Sequence, residues 1–343
     1  MCHLSAYIGD RPIAPLLLET LRLQEGYFGG QATGMTTLND GISIVKMPGP
    51  VDHVEAHSEI TSLTGTTGIA HSRYSLNVLK GPEYNTAAKA HPWPTPDGGA
   101  ALMHNGVINN YKEHWDALKE EYTFTSYSPE TGDITDSEVA VYLLDQKQKQ
   151  GMRLPDALRE TANSLTGMVL LVVLSADEPE TVYIANWMQA CTLGKGDGET
   201  IFTSSRLGLA HVRGEFDVFT APRNSLIKLT RDRIEVEKLD PGRNAPDPKL
   251  DEDALLRHSF RVLREKGELD CVGLLLALAQ GGWEEVFGLD RESWLSLYRA
   301  GWGDQNQVME PLAEMAEKGL IRKKVRTRLE GGVEVPRVFW SAP

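Results

Sequence analysis

The chain has 343 residues, with 35 Lys+Arg against 48 Asp+Glu, a formal charge of −13 and a pI near 5.2. At roughly 100–200 residues per domain this length suggests two domains, and 41% hydrophobic with 24% charged residues excludes whole-chain disorder. No apolar run approaches the roughly 18–20 residues of a membrane span, no secretory signal is expected, and the acidity argues against non-specific nucleic-acid binding by the whole molecule. Cys2, Cys191 and Cys271 are far apart and odd in number. They form neither a disulfide framework nor a zinc pattern, which suggests a reducing, cytoplasmic setting.

Helical spacing of apolar residues predicts a helix over Ile13–Gln24. Stretches rich in β-branched residues, or bounded by Gly and Pro, predict strands at Ile42–Lys46, Thr67–His71, Gly99–Met103, Gly167–Leu174, Thr181–Asn186, Thr200–Ser204 and Asp217–Thr220. Two further helices fit Ser137–Gln150 and Leu154–Leu165. Many strands with a few long helices suggest two sheets with helices packed outside them. Asp240–Asp253 combines prolines, a glycine and acidic residues, and reads as an extended exposed connector. Beyond it, Ala254–Pro343 is net neutral, so the rest of the chain carries the whole negative charge. That segment predicts helices at Leu255–Arg264, Val272–Gln280, Glu292–Arg299 and Val308–Lys318, the last stopped by Gly319. Leu320–Arg328 and Val333–Trp340 then flank a glycine turn as a β-hairpin.

Several residues could carry chemistry. Cys2 follows the initiator methionine, which aminopeptidases remove before small residues. A terminal cysteine would carry a thiol and an α-amine together, and the amine's ordinary pKa of ~7.7–8.0 suits a general base. Asn105-Gly106, just after the strand predicted to end at Met103, could give an oxyanion two donors; the competing reading is a turn, since Asn-Gly is a common hairpin signal. Arg73, at the end of an apolar strand, could fork onto a carboxylate, or could form a surface ion pair. Asp136 could receive an ammonium group, while Thr135 and Glu138 around it also spell a helix-capping box. Gly194–Gly198 lacks phosphate-loop spacing and reads as a hairpin turn; Cys191 and Cys271 lie in apolar surroundings and read as inert core thiols.

Together Met1-Cys2, Gly68–Tyr74 (GIAHSRY), Ala90-His91-Pro92, His104-Asn105-Gly106-Val107-Ile108 and Thr135-Asp136-Ser137-Glu138-Val139 are more specific than any one alone. In order and spacing they resemble the class II glutamine amidotransferases. The resemblance implies an α+β, four-layer αββα N-terminal-nucleophile hydrolase sandwich over residues 1–239; composition sets off a linker at 240–253 and a small C-terminal domain at 254–343. The resemblance further implies that Cys2 attacks L-glutamine to form a γ-glutamyl thioester, that Asn105 and Gly106 hold the oxyanion, and that Arg73 and Asp136 bind the substrate's α-carboxylate and α-ammonium. Tyr74, Ser75, Asn77 and His91 would belong to a loop closing over glutamine, and Tyr74–Asn77 looks closer to the glutamate synthase version than to that of hexosamine synthase. One departure stands out. The family has Arg-Gly-x-Asp after the first helix, with its arginine near the nucleophile, where this chain reads Glu25-Gly26-Tyr27-Phe28-Gly29-Gly30-Gln31.

No cofactor or metal is expected. The last ~100 residues hold no recognisable ammonia-consuming module, so a separate synthase subunit is the expected partner; homo-oligomerisation stays open. The alternatives are an amidohydrolase acting on another γ-glutamyl amide or peptide, and a glutamine-sensing regulator. The C-terminal segment resembles a winged helix less specifically. Arg322, Lys323, Lys324, Arg326 and Arg328 would favour DNA, whereas Glu310, Glu314 and Glu317 on the preceding helix favour a protein-docking module whose deletion from Asp251 spares the hydrolysis.

Overall fold

The computed structural model describes residues 1–303 and 305–343. In chain order its elements are β1 (His3–Ile8), α1 (Ile13–Glu25), β2 (Ala32–Leu38), β3 (Ile42–Pro48), α2 (Val51–His57), β4 (Thr67–Arg73), β5 (Trp93–Pro94) and β6 (Ala100–Ile108). These lead into α3 (Tyr111–Leu118), α4 (Asp136–Lys149), α5 (Leu154–Ser164), β7 (Gly167–Ser175), β8 (Val182–Trp187), β9 (Thr192–Gly196), β10 (Glu199–Thr203), β11 (Asp217–Thr220), β12 (Ser225–Leu229) and β13 (Ile234–Lys238). The C-terminal segment holds α6 (Glu252–Lys266), β14 (Leu269–Asp270), α7 (Cys271–Ala279), α8 (Trp283–Phe287), α9 (Arg291–Arg299), α10 (Gln305–Glu317), β15 (Arg322–Glu330) and β16 (Val333–Ser341).

Two antiparallel sheets form the centre, ordered β11-β9-β10-β1-β4-β2-β3 and β13-β12-β8-β7-β6-β5. Strand alternation assigns each face. Leu4, Ala6 and Ile8 of β1 meet Leu170, Val172 and Leu174 of β7 in the layer between the sheets. Tyr7 of β1 packs with Ile13, Leu17, Leu18 and Leu21 of α1 on the far side. Val169, Leu171 and Val173 of β7 face α4 and α5. Helices thus cover the outer face of each sheet. Strands buried on both faces are apolar throughout, which is why β7 reads as a continuous hydrophobic run rather than an alternating one.

The elements expected from sequence are present within one or two residues, save α6 and α10, which each begin three residues before their expected starts at Leu255 and Val308, and β6, which continues five residues past its expected end at Met103. His104, Asn105 and Gly106 therefore lie inside a strand, paired with Leu171, Leu170 and Val169 of β7, and the hairpin-turn alternative is excluded. Gly106 takes φ +141°, and a Cβ there would sit 1.9 Å from the Met168 carbonyl oxygen, so only glycine fits. The segment Gly194–Gly198 does turn between β9 and β10.

Residues 240–251 contain no helix or strand, but they are pinned rather than loose. Asn224 donates to the carbonyls of Asp240 and Arg243, Arg223 pairs with Asp247, and the Arg243 guanidinium stacks on Trp187. Beyond them, α6–α10 and the three-stranded sheet β14-β16-β15 continue the same hydrophobic cluster that underlies α4 and α5. The β15–β16 turn is Gly331-Gly332 with both φ positive, the geometry a two-residue hairpin needs.

Candidate active site

Cys2 lies just ahead of β1, 8% exposed, in the layer between the sheets. Its backbone nitrogen donates to Asn105 Oδ1 at 2.9 Å, so a strand from each sheet contributes to one point. Asn105 shares the inward face of β6 with Ala101 and Met103 because they alternate along it. Its Nδ2 has no partner among the described residues. The Cys2 thiol sits 3.5 Å from the Tyr74 carbonyl oxygen, and the Tyr74 N–H donates to Sγ at 3.4 Å. Burial pushes the thiol above its ordinary pKa, opposed by the chain's terminal amine, the Tyr74 N–H and Arg73. The same burial draws the terminal amine, here on Met1, down to about 6.

A cavity of about 520 Å³ opens over this thiol. Arg73, Tyr74, Ser75, Asn77, His91, Gly106 and Asp136 all line it, so the side chains singled out from sequence, dispersed over 135 positions of the chain, converge. Arg73 is 6% exposed and donates only to the Tyr84 carbonyl at 3.2 Å and Asn85 Oδ1 at 3.5 Å. Among the described residues no carboxylate pairs with it, which excludes the surface-ion-pair alternative and leaves a buried cation aimed into a cavity. Burial lowers its pKa, while the Cys2, Asp136 and Asp133 charges oppose that. At its partly buried place Asp136 accepts from the Ile108 N–H at 2.8 Å through one carboxylate oxygen.

One expectation needs correction. The capping box is not formed: Thr135 makes no side-chain cap bond, and Glu138 instead accepts from the N–H groups of Thr125 and Ser126 and from Tyr142. The segment 119–135 has to be tied down beside the cavity, and a buried carboxylate does that better than a solvated cap. His91 lines the cavity from a place 3% exposed, stacked on His71 at 3.8 Å and against Trp93 at 4.2 Å. Its imidazole is held well below its ordinary pKa by burial, so it is a neutral wall of the cavity. The Glu25–Gln31 stretch, which has no arginine of its own, is met by a guanidinium from the far end of the chain. Arg337 of β16 donates to the carbonyls of Gly29 at 2.8 Å and Glu25 at 3.3 Å, while burial pushes the Glu25 carboxyl up to about 8.

Asp133, Lys89 and Tyr111, which carry no sequence motif, also line the cavity, as does His104, which the sequence shows only as part of the His-Asn-Gly motif. Asp133 could have been found as a second acid in the loop before Asp136. The apolar wall from α7–α9, which includes Leu275, Trp283 and Trp294, left no local signal. Cys191 and Cys271 are buried thiols pushed up to about 12 by desolvation. Among the described residues no cluster of His, Cys, Asp and Glu could hold a metal ion, and no helix is long and apolar enough to cross a membrane.

No family model matches the sequence. Curated relatives do. The chain is 34% identical over 209 residues to a glutamine–fructose-6-phosphate aminotransferase (isomerizing) of Chlorobaculum tepidum, covering 60% of this chain and 32% of that protein. Against the enzyme of the same name from Staphylococcus epidermidis it is 30% identical over 242 residues, or 70% and 38% of the two chains. The chain thus spans about a third of the length of these relatives. Among solved structures, glutamine phosphoribosylpyrophosphate amidotransferase from B. subtilis superposes with a TM-score of 0.58 at 15% identity, over 74% of this chain and 52% of that one. A structure described as the allosteric regulatory enzyme of purine biosynthesis gives 0.61 at 15% identity, over 84% and 64%. In sequence over 60–70% of its length, and in fold, this chain is similar to the class II glutamine amidotransferases.

Proposed function

We propose that the chain hydrolyses L-glutamine to glutamate and ammonia, with Cys2 as the nucleophile. The observation that carries this reading is the bond from the Cys2 backbone nitrogen to Asn105, with the Cys2 residue at the wall of a cavity that also holds Gly106, Arg73 and Asp136. Once Met1 is removed, the Cys2 nitrogen becomes an amine in a buried place, where desolvation lowers its pKa toward neutrality. That amine takes the thiol proton and the thiolate attacks the side-chain carbonyl carbon of glutamine. Asn105 Nδ2 and the Gly106 N–H receive the resulting oxyanion. The carbon–nitrogen bond then breaks as the leaving nitrogen accepts the proton from the amine, and ammonia departs. Water, deprotonated by the same amine, hydrolyses the γ-glutamyl thioester and returns the thiol. Arg73 and Asp136 match the two charged ends of the amino acid, and Tyr74, Ser75, Asn77 and His91 bound its chamber.

A diazoketone analogue of glutamine is expected to add one equivalent at Cys2 of the Met1-free protein. Active enzyme whose intact mass retains Met1 would end this mechanism. Asn105→Ala is expected to lower kcat by about 10²–10³ with little change in KM, since an oxyanion donor acts only in the transition state. Arg73→Lys should instead raise KM tenfold or more, on the order of 1.4 kcal/mol, because a point charge cannot replace a bidentate fork. Steady-state kinetics with glutamine separate the two; a pure KM effect at Asn105 would reverse the assigned roles.

We assign the ammonia to a separate synthase subunit, since residues 254–343 form a unit packed on the glutaminase and hold no recognisable ammonia-consuming motif. We further read residues 1–239 as that glutaminase, an αββα N-terminal-nucleophile hydrolase sandwich, and residues 254–343 as a winged-helix-like unit that docks protein, in a cytoplasmic enzyme. DNA contact is disfavoured because α10 is not free. Its Glu310 accepts from Ser205 Oγ and the Arg206 N–H, its Glu314 pairs with Arg206, and Asn306 donates to the Ser204 carbonyl. On β15, Arg326 and Arg328 are neutralised by Glu268 and Asp270.

A further inference from the structure

We infer that the C-terminal hairpin is part of the hydrolytic machinery, with Arg337 and Glu330 as positioning residues that fix the Tyr74–Ser75 dipeptide against the nucleophile. The inference rests on the reading of Cys2 as that nucleophile.

Arg337 and Glu330 are 5% and 6% exposed, and they face each other as a fork, Nε to Oε1 at 2.8 Å and Nη2 to Oε2 at 2.5 Å. Two arms run from this pair toward the active site. In the first, the Arg337 guanidinium lies over the Tyr74 ring, 5.3 Å from its centroid, while its Nη1 holds the Gly29 carbonyl. In the second, Glu330 Oε2 accepts from Gln31 Nε2 at 2.7 Å, and Gln31 Oε1 accepts from the Ser75 N–H at 2.6 Å. Both arms end on adjacent residues, and Tyr74 is the one whose N–H and carbonyl flank the Cys2 sulfur. Glu330 and Arg337 lie seven residues apart on the two strands of one hairpin, so a single rigid element delivers both groups. The hairpin is fastened from below as well: Val338 donates to the Gly26 carbonyl at 2.7 Å, and Asn85, a partner of Arg73, reaches the carbonyls of Gln31 and Gly331.

A pair that served packing alone would need neither the stacking on Tyr74 nor the relay through Gln31. Replacing a buried ion pair by apolar residues of similar volume is commonly neutral for stability, whereas removing one partner strands a buried charge. Stability and positioning can therefore be separated. In the full-length chain Arg337→Met should lose both thermal stability and rate. The double variant Arg337→Met/Glu330→Met should regain the melting temperature yet keep kcat for glutamine at least about tenfold down with KM within about twofold, because a small misplacement at a reacting centre costs this much. Alkylation of Cys2 by iodoacetamide, followed on its peptide, should slow by about fivefold or more as the Tyr74 N–H leaves the sulfur and thiolate character falls. Gln31→Met cuts the second arm without touching the ion pair and should show the same signature more weakly, which keeps the inference testable if neither Arg337 variant folds. A folded double variant, or Gln31→Met, that alkylates and turns over as the wild type does would overturn it. Should the wild type not hydrolyse glutamine, that substrate assignment fails by itself, while the alkylation rates still decide the role of the hairpin.

Discussion

Cys2→Ala is expected to release no glutamate from glutamine, a loss on the order of 10⁶ in kcat, while folding as the wild type does. The change removes one sulfur from a side chain that packs at the margin of the inter-sheet layer and leaves its backbone bond to Asn105 in place. A melting temperature within a few degrees of the wild type should accompany the loss. Cys2→Ser is expected to keep traces of activity, because the hydroxyl is a poorer nucleophile than a thiolate. Coupled detection of glutamate on Met1-free proteins gives the answer, and turnover by the alanine variant within tenfold of wild type would remove Cys2 from the mechanism altogether.

Truncation after residue 250 is expected to destroy the activity as well, contrary to the separable docking module that the linker composition suggests. The C-terminal segment supplies Arg337 beneath Gly29, the Trp340 ring beside Tyr27, the Ala300 carbonyl for Trp187 Nε1 and a cavity wall from α7 and α9. Without it Tyr27, Phe28 and Trp187 return toward water, at about 1.5–3 kcal/mol for each large apolar side chain. The melting temperature should fall by about 10 °C or more, if the fragment stays soluble at all. Differential scanning calorimetry and Cys2 alkylation on residues 1–250 make the comparison. A fragment with wild-type stability and wild-type labelling would show that the C-terminal unit is a passenger.

Much of the site was legible in the chain because its chemistry is local. Cys2, the strand running into Arg73, the His-Asn-Gly triplet and Asp136 at the head of α4 are short motifs, each readable within a few residues. The helices and strands followed from periodicity, and β6 was cut short only because Asn-Gly has a strong turn preference of its own. Pairing with β7 overrode it, since Gly106 can adopt φ +141° inside a ladder that the flanking apolar residues demand.

The sequence by itself singled out Cys2, Asn105, Gly106, Arg73 and Asp136 as the candidates for chemistry, because together they form an ordered set of short motifs. Only the tertiary structure decided which groups serve them from a distance. No spacing rule links Glu25 to Arg337, 312 positions away, or turns Glu138 from a capping residue into the anchor of the Thr125–Ser126 segment. A buried polar group must find a partner wherever the fold brings one, and that partner is chosen by how the C-terminal hairpin packs on the first helix and its following loop.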